Sequence, residues 1–174
     1  MLVTVSGLPG SGTSTVAQLV ARRLGLAHVD GGTVFRTLAA EQGFDVRTFS
    51  SIAEANPDID IALDARLADI ARTGDVVLES RLAAWIARNE GIAATAVWID
   101  GDEGVRAQRV ARREHIEPAL ALEANRAREA SERLRYQTVY GIDLDDRSVY
   151  TLVIDATDRS PEAVGESIVA ATSK

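Results

Sequence analysis

The stretch GLPGSGTST, residues 7–15, decides the reading of this chain. It follows the apolar run Leu2-Val3-Thr4-Val5 and leads into Val16-Ala17-Gln18-Leu19-Val20. The spacing is that of a phosphate-binding loop, G-x-x-x-x-G-K-[ST], with Thr13 standing where the lysine belongs. Gly7, Gly10 and Gly12 allow the backbone to bend until its N–H groups converge on phosphate oxygens, and the helix that follows adds its dipole. Ser14 takes the position whose hydroxyl ligates magnesium in such loops. The competing reading is a glycine-rich turn without a ligand. A short β-branched strand before the loop and helical spacing after it (Val16, Leu19, Val20, Leu24) favour the phosphate site.

Charge elsewhere in the chain bears on the missing lysine. The 174 residues carry 26 acidic and 19 basic side chains, a formal net charge of -7. Every basic residue but Lys174 is an arginine, so cations for this site come from arginines or a metal. An acidic chain of this kind does not suit a general surface for nucleic-acid polymers. There is no cysteine, which excludes disulfides, thiolate metal sites and cysteine nucleophiles. No apolar run approaches the roughly 20 residues of a membrane span, and the first residues do not read as a signal peptide. A cytoplasmic protein with no membrane partner is expected, taken as a monomer although no residue pattern fixes the oligomeric state.

Working outward, Ala27–Val29, Asp75–Glu79, Thr95–Asp100 and 149–155 read as further short strands. Helices fall between them: one from about Thr33, which is a candidate cap; a helical region over 45–74 broken at Asn56-Pro57-Asp58; a short helix or irregular turn after Glu79; two helices over about 102–114 and 117–138; and a last helix opened by Pro161. The expected fold is an α/β domain over 1–174, a five-stranded parallel sheet with helices on both faces. Right-handed crossovers place the glycine loop at the carboxyl edge of a central strand. Arg106, Arg109 and Arg113 share one helix face, and Arg126, Arg128, Arg133 and Arg135 crowd the next helix. Each alone reads as a solvated residue; the group reads as phosphate-binding, since arginine's planar fork suits phosphate oxygens. Asp100 is a candidate for magnesium or for a helix cap. His28 and His115 have no evident carboxylate partner and do not read as metal ligands. Trp85 and Trp98 read as core.

These blocks together resemble the archaeal cytidylate kinases, a family of P-loop nucleoside monophosphate kinases. SGLPGSGTSTVA (6–17) is similar to that family's loop, which commonly carries threonine in place of lysine. GGTVFR (31–36), VVLESRLAAW (76–85), RAQRVARRE (106–114) and YGIDLDDRSVYTLVID (140–155) resemble further blocks in the same order. The resemblance implies transfer of a phosphoryl group from ATP to CMP or dCMP with Mg2+. It implies that Gly7, Leu8, Pro9, Gly10, Ser11, Gly12, Thr13, Ser14 and Thr15 hold the ATP phosphates, with Ser14 on the metal. Arg36 and Arg81 match arginines on the acceptor's phosphate. REASERLR (128–135) is similar to a bacterial motif that puts Arg128 and Glu132 on the ribose and Arg135 on phosphate. Arg109 and Arg113 match lid arginines near ATP. The resemblance further implies an acceptor-binding helical region over about 31–74 and a lid over about 109–126. Ser80 departs from the usual glycine, and Leu82 stands where bacterial relatives carry an aspartate that reads cytosine. An adenylate-kinase-like enzyme and a non-catalytic nucleotide-binding module remain as alternatives.

Because repulsion within a net charge of -7 is screened by salt, the melting temperature is expected to rise from low to molar potassium chloride. A thermal melt series checks this; a flat or falling midpoint contradicts it.

Overall fold

The structure, a computed structural model, describes residues 1–172, apart from the side chains of Val46, Arg47 and Ser50. The one lysine, Lys174, lies outside the described residues. The chain runs β1 (Leu2–Gly7), α1 (Thr13–Leu24), β2 (Ala27–Asp30), α2 (Gly31–Glu41), α3 (Val46–Ala55), α4 (Pro57–Thr73), β3 (Val76–Glu79), α5 (Ala83–Asn89), β4 (Thr95–Asp100), α6 (Glu103–Glu114), α7 (Pro118–Tyr140), β5 (Leu152–Asp155) and α8 (Pro161–Thr172).

The strands form one parallel sheet in the order β2-β3-β1-β4-β5, so β1 is central. Both faces of β1 and β3 are buried, as their unbroken apolar runs require. Leu2, Val76 and Leu78 face α4, α5 and the end of α7. Val3, Val5 and Val77 point the other way and pack with Val97, Ile99 and the inner sides of α1 and α8. Thr4 and Ser6 of β1 are buried polar exceptions; the Ser6 hydroxyl donates to the Ser80 carbonyl at 2.7 Å and ties β1 to the turn after β3.

Two smaller apolar clusters lie beside the main core. Ala39, Phe49, Ala53 and Ile59 join α2, α3 and α4, with Phe35 and Phe49 rings 5.0 Å apart. Ala107, Val110, Ala111 and Ala121 join α6 to α7. These clusters flank the carboxyl edge of the sheet, in the segments expected to hold an acceptor and a lid.

Several local expectations change. The cap of α2 is Asp30, not Thr33: its carboxylate accepts from the N–H groups of Gly32 (3.0 Å) and Thr33 (2.9 Å), so the helix begins at Gly31. Asp102, not Asp100, caps α6 by accepting from Val105 at 3.1 Å. β5 starts at Leu152 rather than at 149, because the Tyr150 N–H turns back to the Arg147 carbonyl (3.1 Å). The Tyr150 ring instead packs on Trp98, centroids 5.3 Å apart. β3 starts at Val76 because Asp75 takes a left-handed conformation (φ 51) and bonds the N-terminal amine at 2.8 Å. The segment after Glu79 is a short helix, α5, and α7 extends to Tyr140 before left-handed Gly141 ends it. Trp98 is fully buried and Trp85 partly so.

Gly10 shows how tightly the glycine loop is seated. It has φ +83, and a Cβ there would lie 2.3 Å from the Arg106 carbonyl oxygen. Gly10→Ala is therefore expected to destabilise the fold by at least ~1–3 kcal/mol, the strain of the backbone alone. Denaturant unfolding measures it, and an unchanged midpoint contradicts this packing.

Candidate functional site

The loop leaves β1 beside β4 and enters α1 through Gly12, which is left-handed (φ 93). Its own turn is closed by the Ser11 N–H on the Leu8 carbonyl at 3.1 Å. Arginines take up the loop's outward carbonyls. Arg106, only 4% exposed, donates to the Pro9 carbonyl (3.0 Å), to the Gly101 carbonyl (3.1 Å) and to Glu129 of α7 (2.5 Å). Arg109 reaches the carbonyls of Ser11 (3.4 Å), Ala156 (2.7 Å) and Thr157 (3.2 Å). The first-turn N–H groups of α1 have no partners within their helix, and the cleft lies in front of them.

That cleft, about 950 Å³, begins at Gly7–Gly10, Thr13 and Ser14 and runs between α2, α4 and α7. Glu79, 7% exposed at the end of β3, stands at its base. One carboxylate oxygen accepts the Ser14 hydroxyl at 2.6 Å, and the other lies 3.1 Å from His28 Nε2. His28 therefore does have a carboxylate partner, brought to it by the pairing of β2 with β3 and invisible in the sequence order.

Arg81 follows β3 and bonds neither Glu79 nor a surface acid. Its Nε donates to Glu132 Oε2 of α7 at 2.7 Å, and Arg128 Nε donates to Glu132 Oε1 at 2.8 Å. Burial alone would raise the Glu132 carboxyl, but Arg81 and then Arg128 outweigh it and hold it below the usual range. Burial likewise disfavours the Arg81 charge, and Glu132 more than compensates. Arg36, exposed, donates to Thr33 Oγ1 at 2.6 Å and faces Asp30 at 3.4 Å.

Deeper in the cleft, Asp60 (5% exposed) lies 2.9 Å from Arg135 Nε, yet neither atom makes an aligned hydrogen bond. Asp64, one turn further along α4, faces the Tyr140 hydroxyl. Burial pushes its carboxyl up to about 6; Tyr140 opposes the rise and the neighbouring Asp60 charge adds to it.

Of the expected site residues, Gly7, Leu8, Pro9, Gly10, Thr13, Ser14, Arg36, Arg81, Arg113, Arg128, Glu132 and Arg135 line this one cleft. Ser11, Gly12, Thr15 and Arg109 do not line it. Ser11 is buried behind the loop, and Arg109 is spent on the backbone carbonyls described above. The arginine group divides: Arg106 is an internal brace, while Arg126 and Arg133 pair on the surface with Glu103 and Asp145. Sequence reasoning missed Glu79, whose signal was an acid ending an apolar strand, and the Asp60/Asp64 pair, whose signal was i, i+4 acids on a helix.

Known proteins resemble the chain over most of its length. The model of the cytidylate kinase-like family matches residues 2–158. A cytidylate kinase of Methanocaldococcus jannaschii is 45% identical over 165 residues, covering 94% of this chain and 93% of its own. One of Halobacterium salinarum is 44% identical over 170 residues, 97% of this chain and 88% of its own. Among solved structures, shikimate kinase of Aquifex aeolicus superposes with TM-score 0.62 at 18% identity, covering 99% of this chain and 96% of its own. A gluconokinase of Sinorhizobium meliloti gives TM-score 0.64 at 16% identity, covering 98% and 90%. At those identities the likeness is one of fold.

Since the Asp64 carboxyl is raised to about 6 from about 3.9 in an unfolded chain, folding favours its protonated form. That contribution is full in acid and lost as pH rises through about 6. Asp64→Asn is therefore expected to raise the melting temperature relative to wild type at pH 8 but not at pH 4. A gain independent of pH contradicts the assignment.

Proposed function

The chain belongs to the cytidylate kinase-like family, and we propose on that premise that it transfers the γ-phosphoryl group of ATP to CMP or dCMP, giving ADP and CDP or dCDP. The observation that carries this reading is the continuity of one cleft from the glycine loop to Arg36, Arg81, Arg128 and Arg135. A donor phosphate cradle and a wall of acceptor-side arginines thus face the same space.

The donor triphosphate lies on the loop N–H groups and the N-terminus of α1. Ser14 and Glu79 offer hydroxyl and carboxylate oxygens within 2.6 Å of each other, the hard donor chemistry that suits Mg2+. The ion, when bound, neutralises charge developing on the transferred group. Glu79 is in turn steadied by His28 on its second oxygen.

The acceptor phosphate sits opposite, held by Arg36 and by the free edge of Arg81. Glu132 occupies the Nε edge of Arg81 and fixes the plane of its guanidinium, and with Arg128 it faces the ribose. An acceptor oxygen then forms the new bond to the γ-phosphorus as the bond to the β–γ bridging oxygen breaks, and ADP leaves. Arg113, from the end of α6, closes over the transferring group as the 109–126 segment moves onto the bound pair and excludes water. The helical region 31–74 carries the acceptor. The protein acts on free nucleotides as a cytoplasmic monomer, without nucleic-acid or membrane partners. Among the described residues no helix is long and apolar enough to cross a membrane.

Incubating the purified chain with ATP, Mg2+ and each nucleoside monophosphate, and following ADP, tests the reading. CMP and dCMP are expected to be turned over; the absence of ADP formation dependent on CMP or dCMP overturns it. Arg81→Ala should cost roughly 2–5 kcal/mol in kcat/KM for CMP, as for a truncated buried charge pair, with ATP affinity little changed. Arg81→Lys should recover little, since an ammonium cannot make the two-pronged contact. Near-normal CMP turnover in Arg81→Ala contradicts the acceptor assignment.

A further inference from the structure

The base of the acceptor needs a polar partner of its own. Leu82, where bacterial relatives carry the cytosine-reading aspartate, is 3% exposed and packs into the main core with Leu78 and Ile86. An apolar side chain buried there has no polar group to offer a base edge. Recognition has to come from another wall of the cleft.

We propose that Asp60 and Asp64 of α4 are the specificity-determining pair that reads the amino edge of the cytosine ring. The assignment rests on the CMP reading above and concerns which residues select the base.

Position is the first support. Glu132 and Arg128 mark the ribose level on α7. Arg135, which the resemblance put on phosphate and this assignment moves to the base, and Tyr136 lie three and four residues beyond Glu132, about 5 Å along the helix axis. That step carries α7 from the level of the ribose toward the ring of the base. Asp60 meets α7 at this level, 2.9 Å from Arg135, and Asp64 faces Tyr140 one turn deeper. Flanking apolar side chains line the same part of the cleft: Phe35 from α2, Ala53 from α3 and Leu63 from α4. They offer flat contact for the ring faces while the acids address its edge.

Unmet hydrogen-bonding capacity is the second support, and it is independent of position. Asp60 is 95% buried by its 5% exposure, and its Oδ2 has no aligned donor. Arg135 Nε beside it is equally without an aligned acceptor. Buried polar atoms are nearly always hydrogen-bonded, so an ion pair without an aligned hydrogen bond in a cleft wall, Asp60 Oδ2 2.9 Å from Arg135 Nε, leaves acceptor capacity that a ligand donor completes when the carboxylate turns toward it.

The chemistry then selects the base. Cytosine presents the N4 amino group as donor beside N3 as acceptor. An ionised Asp60 accepts from N4, and an undissociated Asp64 can donate to N3. Burial, with the charge of Asp60 adding, already keeps the Asp64 proton on to about pH 6, so retaining it in a closed site costs little. Uracil reverses the pattern: its O4 would face the Asp60 charge, and N3–H would face the Asp64 proton. A site built to bond an amino group rejects the analogue that lacks it far more strongly than an apolar pocket would. Adenine shares the amino-beside-acceptor pattern, so rejection of AMP falls to the size of the apolar enclosure.

The test compares kcat/KM for CMP and UMP, with ATP and Mg2+, in the full wild-type chain and in Asp64→Asn, Asp64→Leu and Asp60→Asn. Calorimetric binding of CMP and UMP without ATP provides a second readout. An asparagine amide can turn either way and serve both bases. Asp64→Asn is therefore expected to lower the CMP:UMP ratio at least about tenfold, and Asp64→Leu to bring it near unity. ATP binding and thermal melts report whether each variant folds. If Asp60→Asn does not fold, because Arg135 is left unpaired, the two Asp64 variants decide. A wild type that turns over no CMP overturns the function proposed above and this assignment with it. A wild type active on CMP, with the ratio unchanged within about twofold in both folded Asp64 variants, overturns this assignment alone.

Discussion

One buried guanidinium holds the active edge together. Arg106 sits beneath the glycine loop, bonded to Pro9, Gly101 and Glu129. It joins the loop after β1, the turn after β4 and helix α7, which carries Glu132, Arg135 and Tyr136. A buried cation of this kind needs a paired charge and hydrogen-bond acceptors, because the cost of taking it out of water is several kcal/mol. Here the ion pair with Glu129 and two carbonyls meet that cost. The cleft wall on α7 is thereby tied to the glycine loop, and the two halves of the cleft cannot drift apart without exposing the pair. Gly10 completes the seat, since only a residue without a Cβ lets the loop backbone approach the Arg106 carbonyl.

Much of this was legible in the chain. The parallel sheet follows from five short apolar runs buried on both faces, and the loop follows from Gly7, Gly10 and Gly12. What the sequence order hid was partnership across strands and helices. His28 and Glu79 are distant in sequence but adjacent strands bring them within 3.1 Å. Arg106 and Arg109 read as phosphate ligands on helical spacing alone, yet they face the back of the loop, where carbonyls rather than phosphates await them. Arg81 was correctly placed at the carboxyl edge, but its partner Glu132 lies on a helix that only tertiary packing brings over the sheet. End residues shifted for local reasons: an aspartate caps a helix better than the threonine three residues on, and a tyrosine that packs on Trp98 leaves its strand.

The charge distribution of the cleft is graded. Near the loop, the acids Glu79 and Glu132 are matched by Ser14, His28, Arg81 and Arg128 and are fully engaged. Toward the floor, Asp60 lacks an aligned hydrogen bond at Oδ2, and burial makes both it and Asp64 costly to ionise. A fold that keeps such a pair in its cleft gives up stability there, which is common where function sets the residue choice. The arginines are graded in the same way, from the internal brace Arg106, through half-engaged Arg81 and Arg135, to exposed Arg36 and Arg113 at the mouth.

The central claim is that backbone N–H groups and arginines supply what the loop lysine supplies elsewhere, so that Thr13 marks a relocated charge rather than a lost one. Thr13→Lys tests it most directly, by measuring kcat for CMP phosphorylation at saturating ATP and Mg2+. The account predicts a change of less than about tenfold. A rise beyond that, worth about 1.4 kcal/mol of barrier, would mean that the site lacks a cation and would contradict the account.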